Sequence, residues 1–377
     1  MIKRLKLSNF KCFKESEFEF KNLNLFTGIN SAGKSSVIQS ILLIKQNFES
    51  FSFFKNLIKT ATEKDKNIIY ELFKEIKIND KYVKLGLSSD VLNEKAEKDE
   101  ILIKLETFSG MLSMKLLANR ENNNEMMANY NEIQNLDFLL EEDNFFYLSA
   151  ERISPKSRYL YSKEEILKNK IGNKGEYAVH YLAEYYNENL KIESLKSDAT
   201  DNLQFRENVS RWMGKISNGI DVTAEANDLK MEASLKYNYG GKSYLPQNIG
   251  FGVTYTLPII VLLLKAKKGD IIIIENPETH LHPAAQSEIA KLCCKVASEG
   301  VQLILETHSD HFLNAVRVAI KEKIISSDSS QIYFFNKDEE NNDIIIENIK
   351  VNSEGKIEKW PKGFFDEWDL QLEKLLW

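Results

Sequence analysis

Eight consecutive residues, Gly28-Ile29-Asn30-Ser31-Ala32-Gly33-Lys34-Ser35, fit the pattern G-x-x-x-x-G-K-[ST]. Glycines let such a loop curl so that successive backbone N–H groups point inward at phosphate oxygens. Asn30, Ser31, Ala32, Gly33, Lys34, Ser35 and Ser36 are therefore the candidate phosphate cradle. Lys34 would reach the β- and γ-phosphates as a point charge, and the Ser35 hydroxyl would take one position on Mg²⁺. Such a pattern counts only in its structural context. The context fits, because an apolar strand, Leu23 to Thr27, precedes the loop and an apolar helix, Ser36 to Gln46, follows it.

A phosphate cradle gives binding; hydrolysis also needs an acid beside Mg²⁺ and a group that places the attacking water. In open α/β sheets such groups lie at the carboxyl ends of strands. Two strand ends qualify. Four isoleucines, 271 to 274, run directly into Glu275-Asn276-Pro277-Glu278. A carboxylate after such a run is costly inside unless a cation awaits it, which makes Glu275 the candidate metal acid. The second end is Leu303-Ile304-Leu305-Glu306-Thr307-His308-Ser309, with His308 placed to sense a γ-phosphate. A third element, Asn248-Ile249-Gly250-Phe251-Gly252, opens an apolar helix, and a glycine-bearing helix N-terminus is another anion site. One γ-phosphate does not need two such sites, so this turn is expected to meet nucleotide held by another subunit.

These residues need a scaffold. Ile2, Leu5, Leu7, Phe10, Phe13, Phe18 and Phe20 read as strands that open a sheet before the P-loop strand. Residues 48–90 mix helical and strand signals. Tyr82 to Leu87, Glu100 to Thr107 and Leu112 to Leu117 read as strands of an inserted antiparallel meander. The Asn-rich stretch 120–132 reads as a loose connection. Phe145 to Leu148 predicts a strand, 175–192 and 200–217 helices, and Leu229 to Tyr239 a strand. In the last third, Val253 to Lys265, Ala284 to Ser298 and His311 to Lys321 predict helices. Asp270 to Glu275 and Val301 to Leu305 are continuous apolar runs of the buried, parallel-sheet type. Gln331 to Phe335 and Asp343 to Ile349 close the pattern as strands. Strand–helix alternation with a P-loop predicts an α/β fold with a parallel core.

The chain has 377 residues, 43% of them hydrophobic, which suffices for a large core. Its formal charge of −6 argues against wholesale polyanion binding, so DNA or RNA contact would need a local patch or a partner. Cys12 and the adjacent Cys293-Cys294 make no disulfide framework and no C-x-x-C. The N-terminus lacks an apolar secretory core, and Leu257 to Leu264 is too short to cross a bilayer. The expectation is a soluble, reduced, cytoplasmic protein with no membrane contact.

The order P-loop, glycine turn, apolar strand ending in an acid, then Thr307-His308-Ser309 resembles the ABC-type ATPase heads of the SMC, RecF and OLD (overcoming lysogenization defect) group. Asn9-Phe10-Lys11-Cys12-Phe13 is similar to their opening strand. The chain most resembles a narrower set of bacterial AAA-type ATPases with a C-terminal domain of unknown function. That likeness rests on Gly250-Phe251-Gly252, ENPETHLHPAAQ (275–286), ETHSDHFLNAVRV (306–318) and WPKGFFDE (360–367), and covers residues 50–230 only loosely. Some such relatives, Septu-type ATPases among them, act in phage defence beside a nuclease.

The resemblance implies a P-loop NTPase, an ABC-ATPase-like head with a mixed or parallel central sheet, helices on both faces and an inserted antiparallel β and helical region. Its segments would be 1–50 (P-loop part of the head), 51–235 (insertion), 236–335 (signature, acid strand and switch histidine) and 336–377 (closing strand and tail). It implies ATP and Mg²⁺, with Lys34 and Ser35 on phosphate and metal and Glu275 in the Walker-B place. Asn248, Gly250 and Gly252 would be the signature that meets nucleotide across a homodimer or higher oligomer. His282 and Pro283 fall in the D-loop region, and His308 matches the switch histidine. Glu151-Arg152 stands where such heads place a glutamine; with none present, Arg152 becomes a candidate phosphate contact. The heads usually read Asp-Glu-Pro, whereas this chain reads Glu275-Asn276-Pro277. An amide is no general base, so either Glu278 or His308 positions the water, or turnover is slow.

The implied role is an ATP-dependent dimerisation switch with weak intrinsic turnover that controls a separate effector, a nuclease in anti-phage defence. The alternatives are a RecF- or SMC-like ATPase that clamps DNA, and a nucleotide-dependent scaffold with negligible turnover. No HNH or TOPRIM-like pattern is visible, so cleavage would come from another polypeptide. His280, His282, His308 and His311 could suggest zinc, but the nucleotide reading already uses two of them. The lysines at 156, 168, 170 and 174, with Arg158, read first as a solvated face. Trp360, Phe364 and Phe365 read as a tail docked on the core, with Trp368 and Trp377 adding aromatic surface.

Overall fold

The computed structural model describes residues 1–49, 74–118, 125–134, 143–338, 340–341 and 343–376. In chain order the elements are β1 (Ile2–Phe10), β2 (Phe13–Glu19), β3 (Leu23–Gly28), α1 (Lys34–Glu49), β4 (Glu75–Lys77), α2 (Ser88–Val91), β5 (Glu100–Thr107), β6 (Met111–Leu117), β7 (Glu125–Gln134) and β8 (Phe145–Leu148). There follow α3 (Lys163–Leu167), α4 (Ala178–Glu184), α5 (Phe205–Ile216), β9 (Asp221–Asn227), β10 (Glu232–Tyr239), β11 (Lys242–Tyr244), α6 (Phe251–Leu264), β12 (Ile271–Glu275), α7 (Pro283–Ser298), β13 (Gln302–Glu306), α8 (Asp310–Lys321), β14 (Ser330–Lys337), β15 (Ile344–Asn348) and α9 (Glu367–Leu376). The chain divides into two compact units: Met1–Lys21 with Gly28–Phe145 and Phe334–Glu347, and Asn22–Thr27 with Phe146–Tyr333 and Asn348–Trp377.

The first unit is built on a sheet of order β2-β1-β5-β6-β7-β4. β1 and β5 are antiparallel, with Leu5 opposite Leu105 and Leu7 opposite Ile103. These four side chains are buried. Successive residues of a strand point to opposite faces, so the alternate positions hold Arg4 and Lys6, paired with Glu17 and Glu15 at 3.1 and 2.8 Å. Such exposed pairs contribute little; the apolar face holds this sheet together.

Three expectations for this region are corrected. β1 and β2 join the meander's sheet, not that of the P-loop strand, because their apolar face matches β5 in register. Tyr82 to Leu87 forms no strand. Val83 and Leu85 are buried, but the Tyr82 and Val83 amides donate to the Gln46 side chain at 3.1 Å each, and Gly86 turns with φ +87. Period-two burial thus arose from a loop wrapped on α1. The Asn-rich stretch is a strand from residue 125 onward: Met126 and Ala128 are buried while their Asn and Glu neighbours line the other face of β7. Residues 50–73 of the mixed segment and 120–124 of the Asn-rich stretch lie outside the described residues.

The second unit has a sheet in which β14, β3, β13, β12 and β8 are successive neighbours. β3, β13 and β12 run parallel. Ile271 to Ile274 and Leu303 to Leu305 are each at most 2% exposed, so these strands are covered on both faces. That is why their sequences are continuous rather than alternating. α6 is likewise buried from Val253 to Leu264. A three-stranded sheet, β11-β10-β9, completes the unit. β9 and β11 were not foreseen: β9 carries one buried residue, Ala224, and β11 is three residues long. In the tail, Phe364 is fully buried, while Trp360 packs 5.2 Å from it and Arg317 lies 5.3 Å over the Trp360 ring. The docked tail therefore holds for Phe364, whereas Trp360 is 48% exposed, and α9, which was not foreseen, follows. Trp377 lies outside the described residues.

Candidate nucleotide site

The P-loop belongs to the first unit from Gly28 onward. Gly28 and Gly33 take φ of +133 and +98, conformations nearly closed to L side chains. A Cβ on Gly28 would lie 2.0 Å from the Phe335 carbonyl oxygen, the same oxygen that accepts from the Ile29 N–H at 3.0 Å. A Cβ on Gly33 would meet Cys12 Sγ and the Phe13 ring at 2.7 Å. Close packing thus fixes both glycines, backbone at Gly28 and side chains at Gly33. Lys34 is 3% exposed, and its Nζ donates to the Gly28 and Ile29 carbonyls at 3.0 and 2.7 Å, curling the loop around the ammonium. Ser35 is exposed at the first turn of α1. Asn30, Ser31, Ala32, Gly33 and Ser36 complete this loop, with Ser31 at φ +59.

The second unit brings the other candidates together at the carboxyl ends of its strands. Glu275 opposes Glu306 across β12 and β13, and Glu306 opposes Phe26 across β13 and β3. Glu275 Oε2 accepts from the Ala150 N–H at 3.0 Å, and the carboxylate also accepts from the Tyr147 hydroxyl. Burial raises the Glu275 carboxyl above its ordinary value; these two donors and the Arg152 charge pull against it. Glu278 is 9% exposed. Its Oε1 accepts from the His308 N–H at 2.7 Å, while Oε2 has no hydrogen-bond partner among the described residues. Burial raises this carboxyl also, ahead of the His308 amide, which lowers it. The His308 side chain is exposed.

Arg152 is 6% exposed. It donates through one nitrogen to the carbonyls of Glu275 and, at 3.1 Å, Asn276. Its guanidinium lies over the Tyr255 ring at 4.9 Å, and burial lowers its pKa to about 10, still well above neutrality. Tyr255 in turn donates its hydroxyl to the Ala150 carbonyl. Tyr147, Ala150 and Tyr255 were missed by sequence reasoning: an apolar strand residue, an alanine acting through its backbone and a helix aromatic carry no local sign of acid binding.

The glycine turn caps α6. Asn248 and Gly250 are exposed, and Gly250 is the N-cap with no side-chain hydrogen bond to the helix start. A Cβ on Gly250 would meet nothing within 4 Å, whereas one on Gly252 would lie 2.2 Å from the His280 carbonyl oxygen. Gly252 is therefore required by the chain's own packing, and Gly250 is not. Phe251 is 44% exposed and sets its ring 4.9 Å from His280, nearly perpendicular at 77°.

The remaining motifs settle as structure. His282 caps α7, its Nδ1 accepting from the Ala284 N–H at 3.4 Å. Among the described residues no group of three or more His, Cys, Asp or Glu is placed to hold a metal ion between them. Cys293 and Cys294 are buried in α7, and burial pushes Cys294 up to about 12. Of the basic group, Arg158, Lys168 and Lys174 pair with Glu232, Glu164 and Glu151 at 3.1, 2.8 and 2.7 Å, and Lys170 is buried. Among the described residues no helix is long and apolar enough to cross a membrane.

A P-loop between a strand and a helix, with acids at the ends of parallel strands, defines an α/β P-loop ATPase fold. Residues 23–314 match the family described as "AAA domain, putative AbiEii toxin, Type IV TA system". That match covers more than half of the chain, and the protein belongs to this AAA-domain family. Residues 325–375 match "Protein of unknown function (DUF3696)". Over 98 residues the chain is 34% identical to the DNA replication and repair protein RecF of Clostridium kluyveri, a stretch that is 26% of this chain and 22% of that protein. The match thus spans about a fifth of the length of that relative. Among solved structures, an SMC head bound to the C-winged helix domain of ScpA aligns at TM-score 0.53 and 12% identity over 93% of this chain and 98% of its own. The SMC head from Thermotoga maritima aligns at 0.45 and 12% over 93% and 99%. At this identity the first likeness is one of fold, and it agrees with the expected ABC-type, SMC/RecF-like head.

Proposed function

We propose that the protein binds and slowly hydrolyses ATP, and that two copies close over the nucleotide as a switch for a separate effector. The observation that carries this reading is the strand register of the second unit. Phe26, Glu306 and Glu275 lie in one row across β3, β13 and β12, and Glu275 and His308 follow at the carboxyl ends of these parallel strands. Ligands of open α/β sheets bind at that edge.

In this reading the amides of residues 30–36 and the Lys34 ammonium hold the phosphates. The Ser35 hydroxyl and the Glu275 carboxylate, hard oxygen donors that suit Mg²⁺, hold the ion. Mg²⁺ would neutralise charge on the β- and γ-oxygens. Tyr147 and Ala150 orient the Glu275 carboxylate. Glu278 is the group that takes the water's proton: its buried Oε2 lacks a partner and burial raises its pKa toward the working range of a base. His308 contacts the γ-phosphate with its exposed side chain. Asn276 replaces a usual catalytic acid, and turnover is slow for that reason.

Gly250 supports the dimer. Its lack of a side chain serves no contact among the described residues, and the uncapped amides of the α6 N-terminus beside it suit a phosphate held by the partner copy. The effector is a nuclease in defence, a reading that rests on the resemblance and on the family's toxin description. The RecF match favours a second reading, direct duplex binding. Salt-sensitive duplex affinity of the isolated protein would select it; the ion pairs on the basic group weigh against it.

Light scattering with Mg²⁺ and ATP tests the switch. The wild type should shift from monomer to dimer, and Gly250→Arg should stay monomeric while still binding ATP. A wild type whose mass ignores saturating nucleotide would end the proposal.

A further inference from the structure

We infer that Arg152 is a positioning residue that ties the glycine-turn helix to the backbone of the acid loop, so that engagement of the turn is felt at Glu275. The inference rests on the proposed ATPase reading and adds to it the route between two of its parts.

Arg152 touches both parts. Its Nη2 donates to the peptide carbonyls of Glu275 and Asn276, which fixes the two planes that aim the carboxylate. Its guanidinium face lies on Tyr255, in the second turn of α6. The Tyr255 hydroxyl reaches the Ala150 carbonyl, and the Ala150 N–H holds Glu275 Oε2 at 3.0 Å. The ring is therefore closed: α6 to Tyr255, to Arg152 and Ala150, to both ends of Glu275. A second path runs beside it. His280 packs edge-on to Tyr255 at 5.1 Å and 87°, and its carbonyl leaves no room for a side chain at Gly252. The 276–280 loop and the turn are therefore packed directly on each other.

A phosphate ligand would be built otherwise. Arg152 is almost wholly buried, its Nη2 is committed to neutral carbonyls, and Nε and Nη1 make no hydrogen bond among the described residues. A planar fork on an aromatic face is rigid and delocalised, which a lysine does not reproduce.

Three variants of the full chain, Arg152→Ala, Arg152→Lys and Tyr255→Phe, are compared with wild type for ATP affinity by calorimetry, for kcat and KM, and for melting temperature. Positioning predicts that Arg152→Ala binds ATP within about threefold of wild type but loses about tenfold or more in kcat. Arg152→Lys should recover part of that loss, and Tyr255→Phe, which keeps the ring face, should lose about threefold in kcat with affinity unchanged. If Arg152→Ala melts early, the lysine and phenylalanine variants decide alone. A tenfold loss of ATP affinity with kcat preserved would make Arg152 a phosphate ligand and overturn the inference; so would variants that match wild type throughout. Failure of the wild type to bind ATP sinks the underlying reading instead.

Discussion

The P-loop and the acid loop reach similar ends by opposite means. The first is eight consecutive residues whose shape is set by two glycines, one against backbone and one against side chains, and by one lysine donating to its own loop. The second is assembled from β8, the segment after it, α6, β12 and the start of α8, with partners up to 125 positions apart. A contiguous element can be damaged only from within. A convergent one can be tuned from any of its contributors, which suits a site that must respond to a partner.

Breaking the local element should have the largest effect. Lys34→Ala removes the sole ammonium of the loop and should weaken ATP binding by about a hundredfold or more, read by calorimetry. Near-normal affinity would refute the phosphate role. Glu278→Gln sharpens the other side. It keeps the shape and removes the proposed base, so kcat should fall by about a hundredfold with ATP affinity preserved. Loss of affinity instead would place Glu278 among the binding groups.

The smallest effect is one of stability. Burial raises the Glu278 carboxyl above its unfolded value, so the folded protein holds that proton more tightly. Its favourable contribution is complete below the unfolded carboxylate range and is lost as pH rises through the folded value. Glu278→Gln removes that loss. The variant should melt above wild type near pH 8, and the gap should close as pH falls toward 4. A gap that ignores pH, or favours wild type at pH 8, contradicts a carboxyl whose burial outweighs its donors and the Arg152 charge.

Legibility followed the same division. The P-loop, the isoleucine run into Glu275 and the Thr307-His308-Ser309 helix start were readable because each is a short stretch whose residue types answer a local demand. The parallel core was readable because strands covered on both faces have no polar side. Arg152 was visible only as a charge near a strand end, and its turn onto peptide carbonyls was not. Tyr147 and Tyr255 gave no sign at all, since the groups that each of them meets, Glu275 for the first and Ala150 and Arg152 for the second, are remote from it in sequence. Tyr82 to Leu87 misled for a related reason: alternation reports burial of every second residue, and a loop packed on Gln46 achieves that without a ladder. In β7 the buried Met126 and Ala128 are separated by the exposed Met127, so no clean polar alternation marked them.

The placement of sulfur has a practical consequence. Cys293 and Cys294 are sealed inside a helix, while Cys12 is half-exposed with Sγ close against Gly33. The native polypeptide thus offers a single alkylation handle, already seated on the loop of interest. A maleimide-borne fluorophore there needs no engineered mutation, and the rate of its attachment, with and without nucleotide, becomes an optical gauge of loop occupancy.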